Sequence, residues 1–287
     1  MTTDEFLRIL GETGAYETPA AVRRRPLPSW LATPLFQAGM LRVYASFLRA
    51  CRRPGFDKLA IARRSHMVFA LVERLGGTVH MEGFQELGKL GGGPAVVVVN
   101  HVSALETYLM PGSLAPWGPM TFVLKRSLLS YPFIGPGLTA MDPIPVDRKS
   151  PVADLRAVLT EGKRLLGTGR FVVLFPQGQR ERTFDPALFR TLGTKLAQHA
   201  RVPVVPICVA SDFLRIGKWH RDLATVHTRS PLRLSCGEPI PFDLPAAEVQ
   251  RRQIDFMTST LARWEALDGR RLLAAPAPSA PADGEAR

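Results

Sequence analysis

The fold is decided by residues 94–106, which read Pro-Ala-Val-Val-Val-Val-Asn-His-Val-Ser-Ala-Leu-Glu. A run of four β-branched valines is typical of a strand that is buried on both faces, near the middle of a sheet. The run leads to His101, at the carboxyl end of the predicted strand, which is where open α/β sheets place their ligands. The stretch therefore predicts an α/β protein with a candidate site at this strand end.

His101 and Glu106 form a candidate proton-transfer pair. Ser103 is a residue type that begins helices, and a helix starting there would bring Glu106 within reach of the His101 ring. A carboxylate on one ring nitrogen fixes the tautomer and makes the other nitrogen a better base. The alternative is a strand-end histidine whose hydrogen bonds are only structural, and this segment alone leaves both interpretations open.

The composition is that of a globular protein with a sizeable core. The chain has 287 residues, 46% of them hydrophobic, which is long enough for one large α/β domain with an appendage or for two small domains. Cys51, Cys208 and Cys236 are far apart, so their spacing predicts neither a disulfide framework nor a zinc site. A reducing, cytosolic compartment is the simplest interpretation.

The net charge of +12 predicts an anionic partner, and its distribution indicates which kind. Between Glu17 and Asp57 there are no acidic residues but seven arginines, interleaved with apolar and aromatic side chains: Arg23, Arg24, Arg25, Arg42, Arg49, Arg52 and Arg53. This pattern is typical of helices that lie in a membrane interface, although ordinary packing helices are the alternative. The least polar window, residues 27–41, is too short for a span and contains two prolines. No nucleic-acid motif accompanies the charge, and the first residues lack the basic and apolar regions of a signal peptide.

Four regions are predicted along the chain. Residues 1–26 are predicted to be loosely ordered, and residues 27–77 to form an amphipathic membrane-associating segment with helices over 34–52 and 56–75. Residues 78–273 alternate strands and helices in the βαβ manner, and the Ala/Pro-rich residues 274–287 are predicted to be disordered. Within the third region the pattern predicts a hairpin-like stretch at 78–83, strands at 121–124, 144–146, 171–175, 202–209 and 232–235, and helices at 151–166 and 185–200 and around 254–264.

Three further segments stand out, each at a predicted strand end or strand-to-helix junction. Residues 144–148 read Ile-Pro-Val-Asp-Arg, residues 175–180 read Phe-Pro-Gln-Gly-Gln-Arg, and residues 202–207 read Val-Pro-Val-Val-Pro-Ile. Arg148 and Arg180 could bind a phosphate, because the planar guanidinium donates in a bidentate fork. Gly178 would let the backbone come close to a bound oxyanion. Each segment alone is also typical of an ordinary turn or surface ion pair.

In order and spacing, these four segments resemble the sequence blocks of the glycerolipid acyltransferases. The family's first block, Asn-His-x-Ser-x-x-Asp, is matched at Asn100, His101 and Ser103, with Glu106 in place of aspartate. Its later blocks are matched at Asp147 and Arg148, at Phe175, Pro176, Gly178 and Arg180, and at Pro206, whereas Asp142, Gln177 and Gln179 depart from them. The resemblance covers about residues 80–215.

The resemblance implies a central mixed sheet flanked by helices, with an N-terminal two-helix element that associates with membranes. It implies transfer of a fatty acyl group from acyl-coenzyme A or acyl-carrier protein to a lysophospholipid hydroxyl, at the cytoplasmic face of a membrane. His101 would take the hydroxyl proton and Glu106 would orient the ring. The implied substrate-binding residues are Arg148, Gly178, Arg180, Lys125, Ser103 and Gln177. No metal and no tightly bound cofactor are implied, and the implied partners are the membrane lipid surface and the two substrates, not nucleic acid.

Two alternatives remain beside an acyltransferase that acts on 1-acylglycerol-3-phosphate. Gln177 removes a charge close to Arg180, so the acceptor could be another lysolipid or lack a phosphate. The chain could also be a catalytically silent, basic membrane-binding module that keeps the fold.

Overall fold

The computed structural model describes residues 1–52, 56–132, 134–217 and 224–275. Its strands are β1 (Tyr16–Glu17), β2 (Val79–Glu82), β3 (Val96–Val99), β4 (Met120–Lys125), β5 (Ile144–Val146), β6 (Phe171–Leu174), β7 (Val204–Ala210), β8 (Leu214–Arg215), β9 (Thr225–Val226) and β10 (Leu232–Cys236). Its α-helices are α1 (Thr3–Thr13), α2 (Ser29–Cys51), α3 (Lys58–Arg74), α4 (Leu105–Leu114), α5 (Gly135–Thr139), α6 (Pro151–Leu166), α7 (Leu192–Ala200) and α8 (Ala246–Asp268). Short 3-10 turns cover Ala20–Val22, Phe84–Leu90, Arg126–Ser130 and Pro186–Leu188.

Within the described residues, eight strands form one mixed sheet in the order β1-β2-β10-β7-β3-β6-β4-β5. Strands β7, β3, β6, β4 and β5 run parallel, so their carboxyl ends lie along one edge of the sheet. Strand β10 runs antiparallel to β7, and β2 runs parallel to β10. The prediction of an α/β fold with a central mixed sheet is confirmed.

The valine run forms β3 in the middle of this sheet, and all four side chains are fully buried. Val97 and Val99 face a core layer that includes residues of α2, α3 and α4. Val96 and Val98 face the opposite layer, which is built from α6, α7 and α8. Because helices cover both faces, the strand has no polar side and reads as a continuous β-branched run.

The predicted start of α6 is confirmed. Ser150 is the N-cap, its hydroxyl accepts a hydrogen bond from the Ala153 N–H at 3.3 Å, and Pro151 occupies the first turn. A serine cap followed by proline suits this position because the first N–H groups of a helix have no intrahelical partner. The helix therefore begins directly after the segment that carries Arg148.

The prediction that residues 1–26 are loosely ordered is wrong. Thr2 and Glu5 form a reciprocal capping box at the start of α1, which buries Phe6 and Leu10 completely. Strand β1 then adds to the sheet edge beside β2. The Tyr16 hydroxyl donates to the buried Glu73 carboxylate at 2.7 Å, which ties this segment to α3. The capping box and the burial of Phe6 and Leu10 together order this segment.

Three other boundaries differ from the predictions. The predicted hairpin at 78–83 is a single strand, β2, that pairs with β1 and β10. The helix predicted over 34–52 begins earlier, at Ser29, and carries Pro34 within its early turns. The helix predicted over 185–200 is split, because Phe189 is extended between the 3-10 turn and α7.

Parts of two predictions lie outside the described residues. Arg53 and residues 276–287 of the predicted disordered tail are not described, whereas the Ala274 N–H donates to the Phe184 carbonyl at 2.9 Å. Among the helices that are described, none combines the length and the apolar character needed to cross a bilayer.

Candidate functional site

The carboxyl edge of the parallel strands gathers the predicted site residues. His101 follows β3, Lys125 ends β4, Arg148 follows β5, and Gln177, Gly178 and Arg180 follow β6. Strand β6 is the direct neighbour of β3, so its loop adjoins His101. Strand β5 lies three strands from β3, about 14 Å across the sheet. The structure thus brings the β6 loop closest to His101 and leaves the loop with Arg148 at the far side.

His101 and Glu106 contact each other as the sequence predicts. The His101 Nδ1 and Glu106 Oε2 atoms are 3.3 Å apart, the Glu106 side chain is fully buried, and the His101 side chain is 17% exposed. Helix α4 begins at Leu105, two residues after Ser103, and Glu106 lies in its first turn. Because Nδ1 faces the carboxylate, Nε2 is the ring nitrogen that can meet a substrate.

The Glu106 carboxylate is held by three groups besides the imidazole. It accepts hydrogen bonds from the backbone N–H groups of Val102 at 3.2 Å and Ser103 at 2.8 Å, and from the Ser211 hydroxyl. Ser103 is buried, and its own hydroxyl accepts from the Leu105 N–H at 3.0 Å. Ser103 therefore contributes to holding Glu106 rather than lining an open surface, and Ser211 was not identified from the sequence.

The His101 ring and backbone are also fixed in place. The ring stacks on Phe175, with centroids 4.2 Å apart and planes inclined by 23°. The backbone N–H of His101 donates to Gln177 Oε1 at 2.9 Å, and its carbonyl accepts from the Glu181 N–H at 2.8 Å. Gln177 is buried, so its side-chain oxygen serves the His101 backbone. The loop after β6 thus positions the histidine from two sides.

Asn100 explains how the end of β3 is anchored to β7. Its side-chain nitrogen donates to the Val209 carbonyl at 2.8 Å, and its side-chain oxygen accepts from the Val209 N–H at 2.7 Å. This two-bond pairing satisfies a buried amide and extends the ladder between the two strands by one step. As a result, the residues after β3 and β7 stay in register, which brings Ser211 next to Ser103.

Arg148 and Lys125 are exposed at the far side of the site. Arg148 has a φ of 60°, and the Asp154 carboxylate of α6 accepts hydrogen bonds from the N–H groups of Asp147 and Arg148 at 3.0 and 2.8 Å. The Asp147 carboxylate is paired with Arg126 at 2.8 Å. The Asp147–Arg148 turn is therefore held by α6, and the Arg148 guanidinium extends from a fixed backbone.

Arg180 lies closer to the centre of the site and is partly buried. Burial raises the pKa of the Tyr108 hydroxyl well above its usual value, and the nearby Arg180 charge opposes this shift. Tyr108 lies on α4 two residues after Glu106, so Arg180 is near the same helix turn. Gly178 has a φ of 74°, a conformation that favours glycine, and a side chain there would meet open space.

An apolar pocket opens beside this site, between α2, α3, α4 and α5. Its lining includes Tyr44, Phe47, Val68, Tyr108, Phe122 and Met141. Phe122 stacks with Phe175 at 6.3 Å between centroids, and Phe175 stacks on His101, so the pocket reaches the histidine through two aromatic rings. The Tyr44 and Tyr108 hydroxyl oxygens are 2.7 Å apart and satisfy each other. Sequence reasoning did not identify this pocket.

Comparisons with known proteins give a matching family model, a similar solved structure and similar curated proteins. Residues 78–210 match the family model described as Acyltransferase. The crystal structure of the 1-acyl-sn-glycerophosphate (LPA) acyltransferase PlsC from Thermotoga maritima is similar over 83% of this chain and 96% of that chain, with a TM-score of 0.53 and 19% sequence identity. At this identity the similarity shows the fold, and it extends beyond the matched region.

Curated relatives are similar over part of their length. A 1-acyl-sn-glycerol-3-phosphate acyltransferase of Pseudomonas aeruginosa is 37% identical over 114 residues, which is 40% of this chain and 43% of that protein. The enzyme of the same name from Escherichia coli is 25% identical over 145 residues, 50% of this chain and 58% of that protein. The matched stretches thus span about half of each of these relatives.

Proposed function

We propose that this chain, whose residues 78–210 match the Acyltransferase family model, transfers a fatty acyl group from a thioester to a lysophospholipid hydroxyl. The proposed acceptor is 1-acylglycerol-3-phosphate, which would give phosphatidic acid, and the donor is acyl-coenzyme A or acyl-carrier protein. The observation that carries the proposal is the His101–Glu106 pair, with Arg180 on the adjoining β6 loop and an apolar pocket lined by Tyr108 of the same helix as Glu106. A base, a cation and an apolar pocket are what a lysolipid and a fatty thioester require.

The pair can perform the transfer without a protein nucleophile. His101 Nε2 removes the proton of the acceptor hydroxyl as the hydroxyl oxygen attacks the thioester carbonyl carbon. The tetrahedral intermediate then expels the thiolate, which takes the proton back from the imidazolium and leaves as a thiol. Glu106 holds the Nδ1 proton and stabilises the imidazolium that forms between the two steps.

The cations after the strand ends supply the acceptor site in this proposal. Arg180 is the first candidate for the phosphate, because its loop adjoins His101, and the exposed Arg148 and Lys125 would complete the site from the far side. Gly178 would allow the backbone to approach the substrate.

Arg180→Ala should raise KM for a phosphate-bearing acceptor at least tenfold more than for an acceptor without a phosphate. Equal effects on both would support the alternative that the acceptor is a different lysolipid.

The apolar pocket is proposed to take an acyl chain. Burial raises the pKa of both the Tyr44 and Tyr108 hydroxyls, so both stay protonated and uncharged, and they satisfy each other by a hydrogen bond. A chain that enters there passes the Phe122 and Phe175 rings, which connect the pocket with His101. The reacting carbonyl of the chain would then lie next to the base.

We place the protein at the cytoplasmic face of a membrane, bound peripherally through α2 and α3. On α2, Trp30 is 77% exposed and Leu41 is 61% exposed, and their separation of eleven residues puts them on one face of the helix. Met67 is an exposed apolar side chain on α3, which packs against α2. The same two helices line the apolar pocket, so a chain could pass from the bilayer to the site.

The direct test is an acceptor screen with labelled acyl-coenzyme A and acyl-carrier protein donors. We expect the wild-type protein to convert a lysophospholipid to its diacyl form and His101→Ala to abolish this, with vesicle binding unchanged. His199→Ala, at an exposed position of α7, is the matched control. Transfer by His101→Ala at the wild-type rate would overturn the mechanism. If the wild-type protein binds vesicles but transfers no acyl group, the result would support the alternative of a catalytically silent membrane-binding module.

A further inference from the structure

Ser211 is a fully buried serine that immediately follows β7, and its hydroxyl donates to Glu106 Oε1. The two residues are 105 positions apart in the chain. Ser211 is also one residue beyond the region that matches the acyltransferase family model, which ends at 210. A side chain from another strand thus contacts the carboxylate that faces the His101 ring.

The hydrogen bonds around Ser211 can be assigned in only one direction. The Leu105 N–H donates to Ser103 Oγ at 3.0 Å, and Ser103 Oγ lies 2.9 Å from Ser211 Oγ. A carboxylate only accepts and a hydroxyl has one proton, so the Ser211 proton goes to Glu106 and the Ser103 proton goes to Ser211. The result is a chain of donors that runs from the α4 backbone to Glu106 Oε1, in which each bond strengthens the next.

This chain fixes the orientation of the carboxylate. Oε1 receives the Ser211 hydroxyl and the Val102 N–H, the Ser103 N–H is shared between Oε1 at 2.8 Å and Oε2 at 3.1 Å, and Oε2 faces His101 Nδ1. A glutamate has one more rotatable bond than an aspartate, so it needs an additional contact to hold the same direction. Asn100 keeps the ends of β3 and β7 in register, and Ser211 uses that register to reach the carboxylate.

We propose that Ser211 is a positioning residue that holds Glu106 so that Oε2 faces His101 during proton transfer. This inference rests on the proposed function for its kinetic consequence, although its structural consequence does not. Without the Ser211 hydroxyl the carboxylate can rotate away from Nδ1 and stabilises the imidazolium less. Proton transfer to His101 Nε2 is therefore slower without Ser211.

The kinetic test compares Ser211→Ala with the control Ser113→Ala. Ser113 is equally buried, and its hydroxyl donates to the Leu109 carbonyl within α4, away from Glu106. We expect Ser211→Ala to lower kcat about tenfold with little change in KM, because the substitution affects the orientation of Glu106 and not the binding of substrate. Ser211→Thr, which keeps the hydroxyl, should recover most of the rate. An unchanged kcat in Ser211→Ala would overturn the inference and leave the proposed function standing.

A second readout does not need activity. The six histidines of the chain can be followed by NMR after ¹³C labelling, and the His101 signal is identified by its loss in His101→Ala. Ser211→Ala should shift the ring signals of His101, because the carboxylate that faces Nδ1 changes its orientation. In a Glu106→Gln background the same substitution should change nothing, because its effect passes through the carboxylate. An equal shift in both backgrounds, or none in either, would overturn the inference even if no acyl transfer is found.

Discussion

At the residue scale, the tautomer of His101 is the feature on which the proposed chemistry depends. In Glu106→Gln, the amide oxygen can still accept from Val102, Ser103 and Ser211, so the amide nitrogen must face Nδ1. An amide N–H donates, which forces the proton of the ring onto Nε2 and removes the base. We expect kcat to fall about a thousandfold or more, with the thermal midpoint of unfolding little changed. Activity within tenfold of wild type would remove Glu106 from the mechanism.

His66 makes a separate prediction about stability. It is buried on α3, its Nδ1 lies 3.0 Å from the Thr3 hydroxyl, and its ring stacks on Phe6 of α1. Burial, with a contribution from the N-terminal charge, lowers the pKa of His66 to about 4 from 6.5. Between these values the unfolded chain binds a proton that the folded chain does not, so stability is lost as pH falls from 6.5 towards 4. The loss is at most about 3 kcal/mol.

The measurement for His66 is urea unfolding at pH 7.5 and pH 4.5. His66→Gln should remove much of the difference between the two pH values, because glutamine can still hydrogen-bond to Thr3 but does not bind a proton in the unfolded chain. The control is His199→Gln on the exposed side of α7, which should keep the wild-type difference. If both variants lose stability in acid by the same amount, burial of His66 is not the cause.

Some site residues are visible in the sequence and others are not, for a physical reason. His101 and Glu106 are five residues apart, so a strand-to-helix turn is sufficient to predict their contact, and the structure shows it. Ser211 reaches Glu106 only because β7 is the neighbour of β3, which is a property of strand order. The Tyr44–Tyr108 contact likewise depends on how α2 crosses α4. Local spacing predicts local contacts, and these two contacts are not local.

At the element scale, the sequence of α1 contains a helix-start signal, although residues 1–26 are predicted to be loosely ordered. Thr2 and Glu5 have the spacing of a capping box, and Phe6 and Leu10 are one helical turn apart. Residues 1–26 are ordered because this capped helix packs its apolar face against α3, where Phe6 contacts the His66 and Phe69 rings.

The contact between α5 and α2 makes a prediction about acyl-chain length. Gly137 of α5 lies so close to Phe47 of α2 that a methyl group there would overlap the ring. Phe47 lines the apolar pocket, so Gly137→Ala should displace the ring and change the shape of the pocket. We expect kcat/KM to fall about tenfold more for long acyl chains than for short ones, and stability to fall by about 1–3 kcal/mol. Competition between labelled donors of different chain length measures the ratio.

The control for this prediction is Gly88→Ala. A methyl group at Gly88 meets no atom within 4 Å, so this variant introduces the same side chain without crowding. The double variant Phe47→Leu with Gly137→Ala should recover the use of long chains, since a smaller side chain makes room for the new methyl. An equal loss for all chain lengths in Gly137→Ala would mean that the pocket does not bind the acyl chain.

At the scale of the whole molecule, the alternation of strands and helices was sufficient to predict the class of fold but not its strand order. The βαβ pattern places β3, β4, β5, β6 and β7 in one parallel group, and the structure confirms this. The order in which they lie decides that the β6 loop adjoins His101 and that Arg148 is distant. The insertion of β10 between β7 and β2, and the edge position of β1, join residues that are far apart in sequence and leave no local pattern.

The fold also changes how membrane binding must be tested. Deletion of the first two helices does not test membrane binding cleanly, because both helices are part of the core. Helix α1 buries Phe6 and Leu10, and α2 buries Phe36 and Met40 in the same core layer as β3. Removing those side chains would cost several kcal/mol each and unfold the protein. Substitutions on the outer face of α2 avoid this problem, because Trp30 and Leu41 contribute little to the core.

The proposed membrane face therefore predicts a difference between two matched leucines. Leu41 on α2 is 61% exposed and Leu267 on α8 is 63% exposed, so serine at either position should have a similar, small effect on folding. If α2 enters the interface, Leu41→Ser loses the burial of one leucine in lipid and binds vesicles roughly tenfold more weakly, whereas Leu267→Ser binds as wild type does. Trp30→Ser should weaken vesicle binding at least as much as Leu41→Ser does. Co-sedimentation with vesicles that contain anionic lipid measures this binding. The protein should bind more weakly at high salt, because salt screens the charges of Arg42 and Arg49, the exposed arginines of α2. Equal binding by the Leu41 and Leu267 variants would place the membrane contact on another face of the molecule.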